Sequence, residues 1–218
     1  MPGFIFNMNS INEVIVFIDG NNLYHNLKKI NIKPNQLNFK KFVDFICNYF
    51  SLNLKEVKYY NSIPTIKEGK EIYFSHLKFI DKLRRISKFH VITRKLQVNS
   101  TKELLFERKN LINSIKLCNL CKPIVEENFL NNIGHFNKKE KGIDVKLAVD
   151  LISSSFESNL SLLLISGDAD FIPALELAKN KNSKIYSAFL SRGYSRQLRN
   201  SFSHLILNKN KIIRNCLN

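Results

Sequence analysis

Val14-Ile-Val-Phe-Ile-Asp19 and Leu160-Ser-Leu-Leu-Leu-Ile165 are the two stretches whose reading decides the fold. Both are dominated by consecutive apolar residues, with no regular apolar–polar alternation. A continuous apolar run of this length suits a strand covered on both faces, as central parallel strands are. Each run ends in an acidic turn: Asp19-Gly-Asn-Asn22 after the first, Ser166-Gly-Asp168-Ala-Asp170 after the second.

Working outward, the spacing predicts further strands over 57–60, 91–98, 184–190 and 205–207. Helices are expected over 23–30, 39–50, 71–87, 144–155, 171–180 and 195–200, the helix at 144–155 with Val145, Ala148, Val149 and Ile152 inward. Strands alternating with helices specify an α/β fold: a Rossmann-like, doubly wound, mainly parallel sheet with helices on both faces. No linker or repeat divides the chain, so 1–218 reads as one domain. Residues 100–142 break the rhythm and read as an insertion containing a hairpin.

Ligands of such sheets bind beyond the carboxyl ends of the strands, where the strand order reverses. Asp19, Asp168 and Asp170 are expected at that rim. Asp144 opens the helix leading into the second apolar strand. Such a helix is taken to start at the opposite rim, so Asp144 joins the others only if the insertion repositions it. Clustered carboxylates repel one another, by on the order of 4 kcal/mol for a pair about 4 Å apart at an effective dielectric near 20. Mg²⁺ or Mn²⁺ relieves this, and a metal so held can ionise a water and offset charge on a phosphate. Against this stands a plainer reading, in which Asp19, Asp144 and Asp168 are helix caps.

The chain carries 34 Lys and Arg against 18 Asp and Glu, a net charge of +16. Such a surplus attracts a polyanion, nucleic acid first and an anionic membrane surface second. Lys138, Lys139 and Lys141 run into the Asp144 segment, and Arg192 and Arg196 follow a strand end, which suits a grip on an RNA backbone. Tyr24, Tyr60 and Tyr194 are candidates for base stacking. No apolar run approaches the roughly 20 residues that span a bilayer, and the N-terminus has no signal-peptide pattern. A cytoplasmic protein without membrane association is expected, and a homo-oligomer is left open. Cys118-Asn-Leu-Cys121 has metal-ligand spacing. With His90 and His135 it could hold a structural zinc, and free thiols or redox chemistry are the alternatives.

Three segments carry a family resemblance: Ile18-Asp-Gly-Asn-Asn22, Lys141-Gly-Ile-Asp-Val-Lys-Leu-Ala-Val-Asp150 and Ile165-Ser-Gly-Asp-Ala-Asp-Phe171. With the tail from Ser195 to Leu207, they resemble the NYN domain, the LabA-like branch of the PIN-like nuclease superfamily. The resemblance implies a metal-dependent ribonuclease, endonucleolytic in action, with Asp19, Asp144, Asp168 and Asp170 as its acids and Asn22 and Ser166 as polar neighbours. It also admits an RNA-binding module without useful turnover. Asp150 matches the pattern too, but lies about 240° around the helix from Asp144 and reads as structural. Ser203-His204 stands where an acid is usual. A phosphatase of the haloacid-dehalogenase type is disfavoured, because its second acid would fall at Asn21.

Overall fold

The computed structural model describes residues 12–66, 69–95, 97–98, 101–131, 138–139, 142–181 and 183–217. The first half runs β1 (Glu13–Asp19), α1 (Gly20–Lys29), α2 (Phe39–Tyr49), β2 (Asn53–Ile63), α3 (Lys70–Arg84) and β3 (Phe89–Lys95). The inserted segment holds β4 (Gln97–Val98), α4 (Thr101–Ser114), α5 (Cys121–Asn131) and β5 (Lys138–Lys139). The second half runs α6 (Ile143–Ser154), β6 (Leu160–Ile165), α7 (Ile172–Asn180), β7 (Lys184–Leu190), α8 (Arg196–Ser201), β8 (Ser203–Leu207) and α9 (Lys209–Cys216).

Six strands form one sheet in the order β3-β2-β1-β6-β7-β8, every neighbouring pair parallel. The apolar run of β1 is divided between two cores. Val14, Val16 and Ile18 meet α1 and α2 residues such as Leu27, Phe42 and Ile46 on one face. Ile15 and Phe17 meet Leu147 and Leu151 of α6 and Leu175 of α7 on the other. Each of these β1 side chains is wholly excluded from solvent, which stabilises the fold by roughly 1.5–3 kcal/mol apiece relative to exposure. Burial on both faces is why neither β1 nor β6 alternates in sequence.

Several expectations need correction. The inserted segment, expected to contain a hairpin, has the antiparallel pair β4 and β5 at its base and two unexpected helices, α4 and α5, between them. The expected strand at 91–98 is divided between β3 and β4. The inward face of α6 is Ile143, Leu147 and Leu151, with Ala148 and Ile152 at its margin. Val145 and Val149 are 66% and 50% exposed. This helix offers two apolar stripes about 150° apart at 3.6 residues per turn, and periodicity alone cannot choose between them. The C-terminal helix α9, capped by the Asn208 side chain on the Lys211 amide, was not expected at all.

Candidate active site at the carboxyl rim of the sheet

The chain leaves β1 toward β2 and β3 on one side, then crosses over to β6, β7 and β8 on the other. The strand order therefore reverses between β1 and β6, the point at which open α/β sheets form a ligand crevice. Asp19 closes β1 and Ser166 follows β6, so the two acidic turns lie side by side.

Asp19 is 5% exposed. Its Oδ1 accepts the Asn22 amide at 3.0 Å, capping α1, and its Oδ2 accepts the Ser166 hydroxyl at 3.0 Å. The Ser166 oxygen in turn accepts the Asp168 amide at 3.2 Å. Asp168 Oδ1 accepts the Asp170 amide at 3.0 Å, capping the 3-10 turn Ala169–Phe171. The capping roles of Asp19 and Asp168 are thus realised. A carboxylate has about four lone-pair sites, so each keeps acceptor capacity beyond its cap.

Burial pushes the Asp19 carboxyl up to about 6. The Asn22 amide and Ser166 hydroxyl oppose the rise, while the negative charges of Asp144 and Asp168 add to it. Desolvation and like charge both disfavour the ionised form. A cation beside it would favour the ionised form and relieve that cost.

Asp144 sits in the first turn of α6, behind Gly142, and is not its cap. The direction of α6 explains its position. Lys55, Lys58 and Tyr60 ascend β2, and their partners Glu157, Ser154 and Asp150 descend through α6 and its end. The helix runs antiparallel to the strands and so begins at their carboxyl ends. The expectation that it starts at the opposite rim is corrected: Asp144 needs no repositioning to reach Asp19. Asp170 is exposed, and the charges acting on Asp19 are those of Asp144 and Asp168. Asp150 accepts the Tyr60 hydroxyl at 2.8 Å and Lys146 at 2.5 Å. Tyr60 is buried in that bond and cannot stack on a base.

Backbone contacts hold the two turns together. Asn22 Oδ1 accepts the Gly167 amide at 3.0 Å and Asn26 Nδ2 at 2.8 Å. Asn26 also donates to the Gly193 carbonyl at 3.2 Å, and the Ser195 amide donates to the Gly167 carbonyl at 2.9 Å. A Cβ at Gly167 would stand 2.8 Å from Tyr194 Cα and closer still to the Gly193 carbonyl oxygen, so only glycine fits. The same loop carries Arg192, and Arg196 opens α8 directly after it; both are exposed. Lys138 and Lys139 lie in β5, their side chains outside the described residues, as is Lys141.

Sequence reasoning missed Asn26, one helical turn beyond Asn22, and Arg94. Arg94 is the next-to-last residue of β3 and has an exposed side chain, its guanidinium 3.6 Å from where a Gly142 Cβ would stand. An Arg at a strand's carboxyl end is the only signal it gave.

Among the described residues no three His, Cys, Asp or Glu side chains form a ready metal-binding group. A cage of protein ligands is therefore absent from them. Mg²⁺ does not require one, since it commonly takes one or two carboxylates and keeps its waters. The donor set at this rim, hard carboxylate oxygens around an acid held in its costly ionised form, fits such an ion. The other candidate metal site is the pair of cysteines. Cys118 and Cys121 are exposed free thiols, His90 lies 3.4 Å from Glu56, and His135 is outside the described residues.

Crossing at the switch point and acids from two adjacent strand ends define a doubly wound α/β domain with an acidic carboxyl rim. Residues 13–209 match the model of the NYN domain, and the chain belongs to that family. No curated protein and no solved structure gives a significant match. No helix among the described residues is long and apolar enough to cross a membrane.

Proposed function

We propose that the chain is a Mg²⁺- or Mn²⁺-dependent endoribonuclease of the LabA-like branch. The observation that supports this most is the coupling of the Asp19–Ser166–Asp168 chain of hydrogen bonds to Asp144 at the switch point. Asp19, Asp144 and Asp168 would hold the ion, with Asp170 reaching it through the solvent side. A divalent ion so bound supplies an ionised water and offsets charge on the phosphate. Ser166 holds one Asp19 oxygen, and the Asn22 amide holds the other, so the acid cannot turn away. Arg94, Arg192, Arg196 and the lysines at 138, 139 and 141 would neutralise the RNA backbone. The lack of a three-carboxylate group among the described residues favours a second reading, an RNA-binding module of the same fold.

Incubating RNA with the protein and Mn²⁺ or EDTA, for wild type and Asp168→Asn, separates them. Metal-dependent cleavage by wild type alone is expected. RNA binding without cleavage would favour the module. Binding should weaken with salt by roughly 0.7 log units of affinity per log unit of salt for each phosphate neutralised. No binding at low salt would contradict both.

A further inference from the structure

The two exposed cysteines lie far from this chemistry in sequence and have a geometry of their own. Cys121 is the first residue of α5. The Cys118 carbonyl accepts the Lys122 amide at 3.0 Å, closing the first turn of the helix. The Cys118 sulfur accepts the Cys121 amide at 3.2 Å, taking the place of a capping oxygen. From their places at this turn, we propose that Cys118 and Cys121 form a thiol–disulfide exchange site, with Cys118 the attacking sulfur and Cys121 the resolving one, accepting low-molecular-weight disulfides as oxidant.

Four features support this division of labour. Both thiols are free and exposed, so a small disulfide can reach them. Residues three apart across a helical first turn stand close enough to bond. Sulfur at a helix N-terminus sits where peptide dipoles favour negative charge. The two thiols also diverge: the hydrogen bond from the Cys121 thiol, then the Cys121 and Leu120 amides, pull Cys118 below the ordinary thiol value. The same shared hydrogen bond pushes Cys121 up. Cys47 and Cys216 provide the contrast, for burial raises both, Cys47 to about 12 and Cys216 to about 11.

In the reaction, the Cys118 thiolate attacks one sulfur of glutathione disulfide; that S–S bond breaks and one glutathione thiolate leaves. Cys121 loses its proton to solvent and attacks the Cys118 sulfur of the mixed disulfide, releasing the second thiolate. The protein dithiol loses two electrons and two protons, and glutathione disulfide becomes two thiols. The site lies on the segment joining β3 to the helix that carries Asp144.

The test equilibrates the full chain in buffers of graded glutathione to glutathione-disulfide ratio, then alkylates free thiols and reads each cysteine by mass spectrometry. Cys118 and Cys121 should disappear together along one two-electron curve, with Cys47 and Cys216 alkylated only after denaturation. Cys121→Ser should accumulate glutathione on Cys118, whereas Cys118→Ser should show little adduct. In reduced wild type, brief alkylation should label Cys118 several-fold faster than Cys121, a measurement that needs no variant. Both thiols staying free in every buffer, equal labelling of the two, or a retained zinc that protects both would each overturn the proposal.

Discussion

The two ends of the sheet differ in how they handle charge. At the amino end opposite charges pair: Lys55 meets Glu157 at 2.6 Å, and Lys58 meets Glu56 at 3.2 Å further along the same strand. At the carboxyl end like charges are gathered around the buried Asp19. A cavity of about 420 Å³, lined by residues including Ser155, Ser161, Ser183 and Lys184, is at the amino end. A search for concavity would point to that end. Electrostatics picks the other, because a buried acid beside two more costs stability unless it serves a purpose.

The comparison breaks most severely where the acidic turns touch. Gly167→Ala forces a methyl group against the backbone of Gly193 and Tyr194, and should cost about 3 kcal/mol, as overpacking does. Urea denaturation measures it. A loss under about 1 kcal/mol would show that the two turns are not tightly docked.

Next in size is Asp19→Asn. The folded-state value of about 6 lies above the ordinary 3.8, so the folded chain binds the proton more tightly than the unfolded chain does. The penalty is absent below the ordinary value, grows as pH rises, and is complete above about 6. That gap corresponds to about 3 kcal/mol. Asn recovers only part, since its Nδ2 cannot accept the Ser166 hydroxyl. In EDTA the variant should be more stable than wild type by about 1–2 kcal/mol at about pH 7.5, with the advantage gone by about pH 4. A difference independent of pH would mean that Asp19 is not strained.

At the amino end Glu157→Gln removes a surface pair whose partners are 40% and 50% exposed. Such pairs contribute little, and a change below about 0.5 kcal/mol is expected in thermal melts. A larger loss would mean that the amino end is also electrostatically tuned.

Much of this contrast was legible in the sequence. The apolar runs of β1 and β6, without regular alternation, announced buried parallel strands, and the acids at their ends followed from the topology of such sheets. What was not legible depended on tertiary choices. The stripe of α6 that faces the sheet is set by packing, since Val145 and Leu147 are equally apolar. Helices α4 and α5 bury so little that periodicity left no trace; Ile112 is the one hydrophobic residue among their described side chains that is buried. Asn26 acts through a carbonyl 167 residues away, a distance at which local patterns are silent.

The most direct test of the central claim, that the carboxyl rim is an acidic metal site, is to melt wild type and Asp168→Asn in EDTA and in Mn²⁺. Asn keeps the capping bond to the Asp170 amide and removes a charge that disfavours ionised Asp19. In EDTA the variant should melt higher, by roughly 2–4 °C for about 1 kcal/mol in a domain of this size. Mn²⁺ should raise wild type by mass action and narrow or reverse that order. Equal Mn²⁺-induced shifts in the two proteins would remove Asp168 from the metal site, and no shift in either would contradict the account.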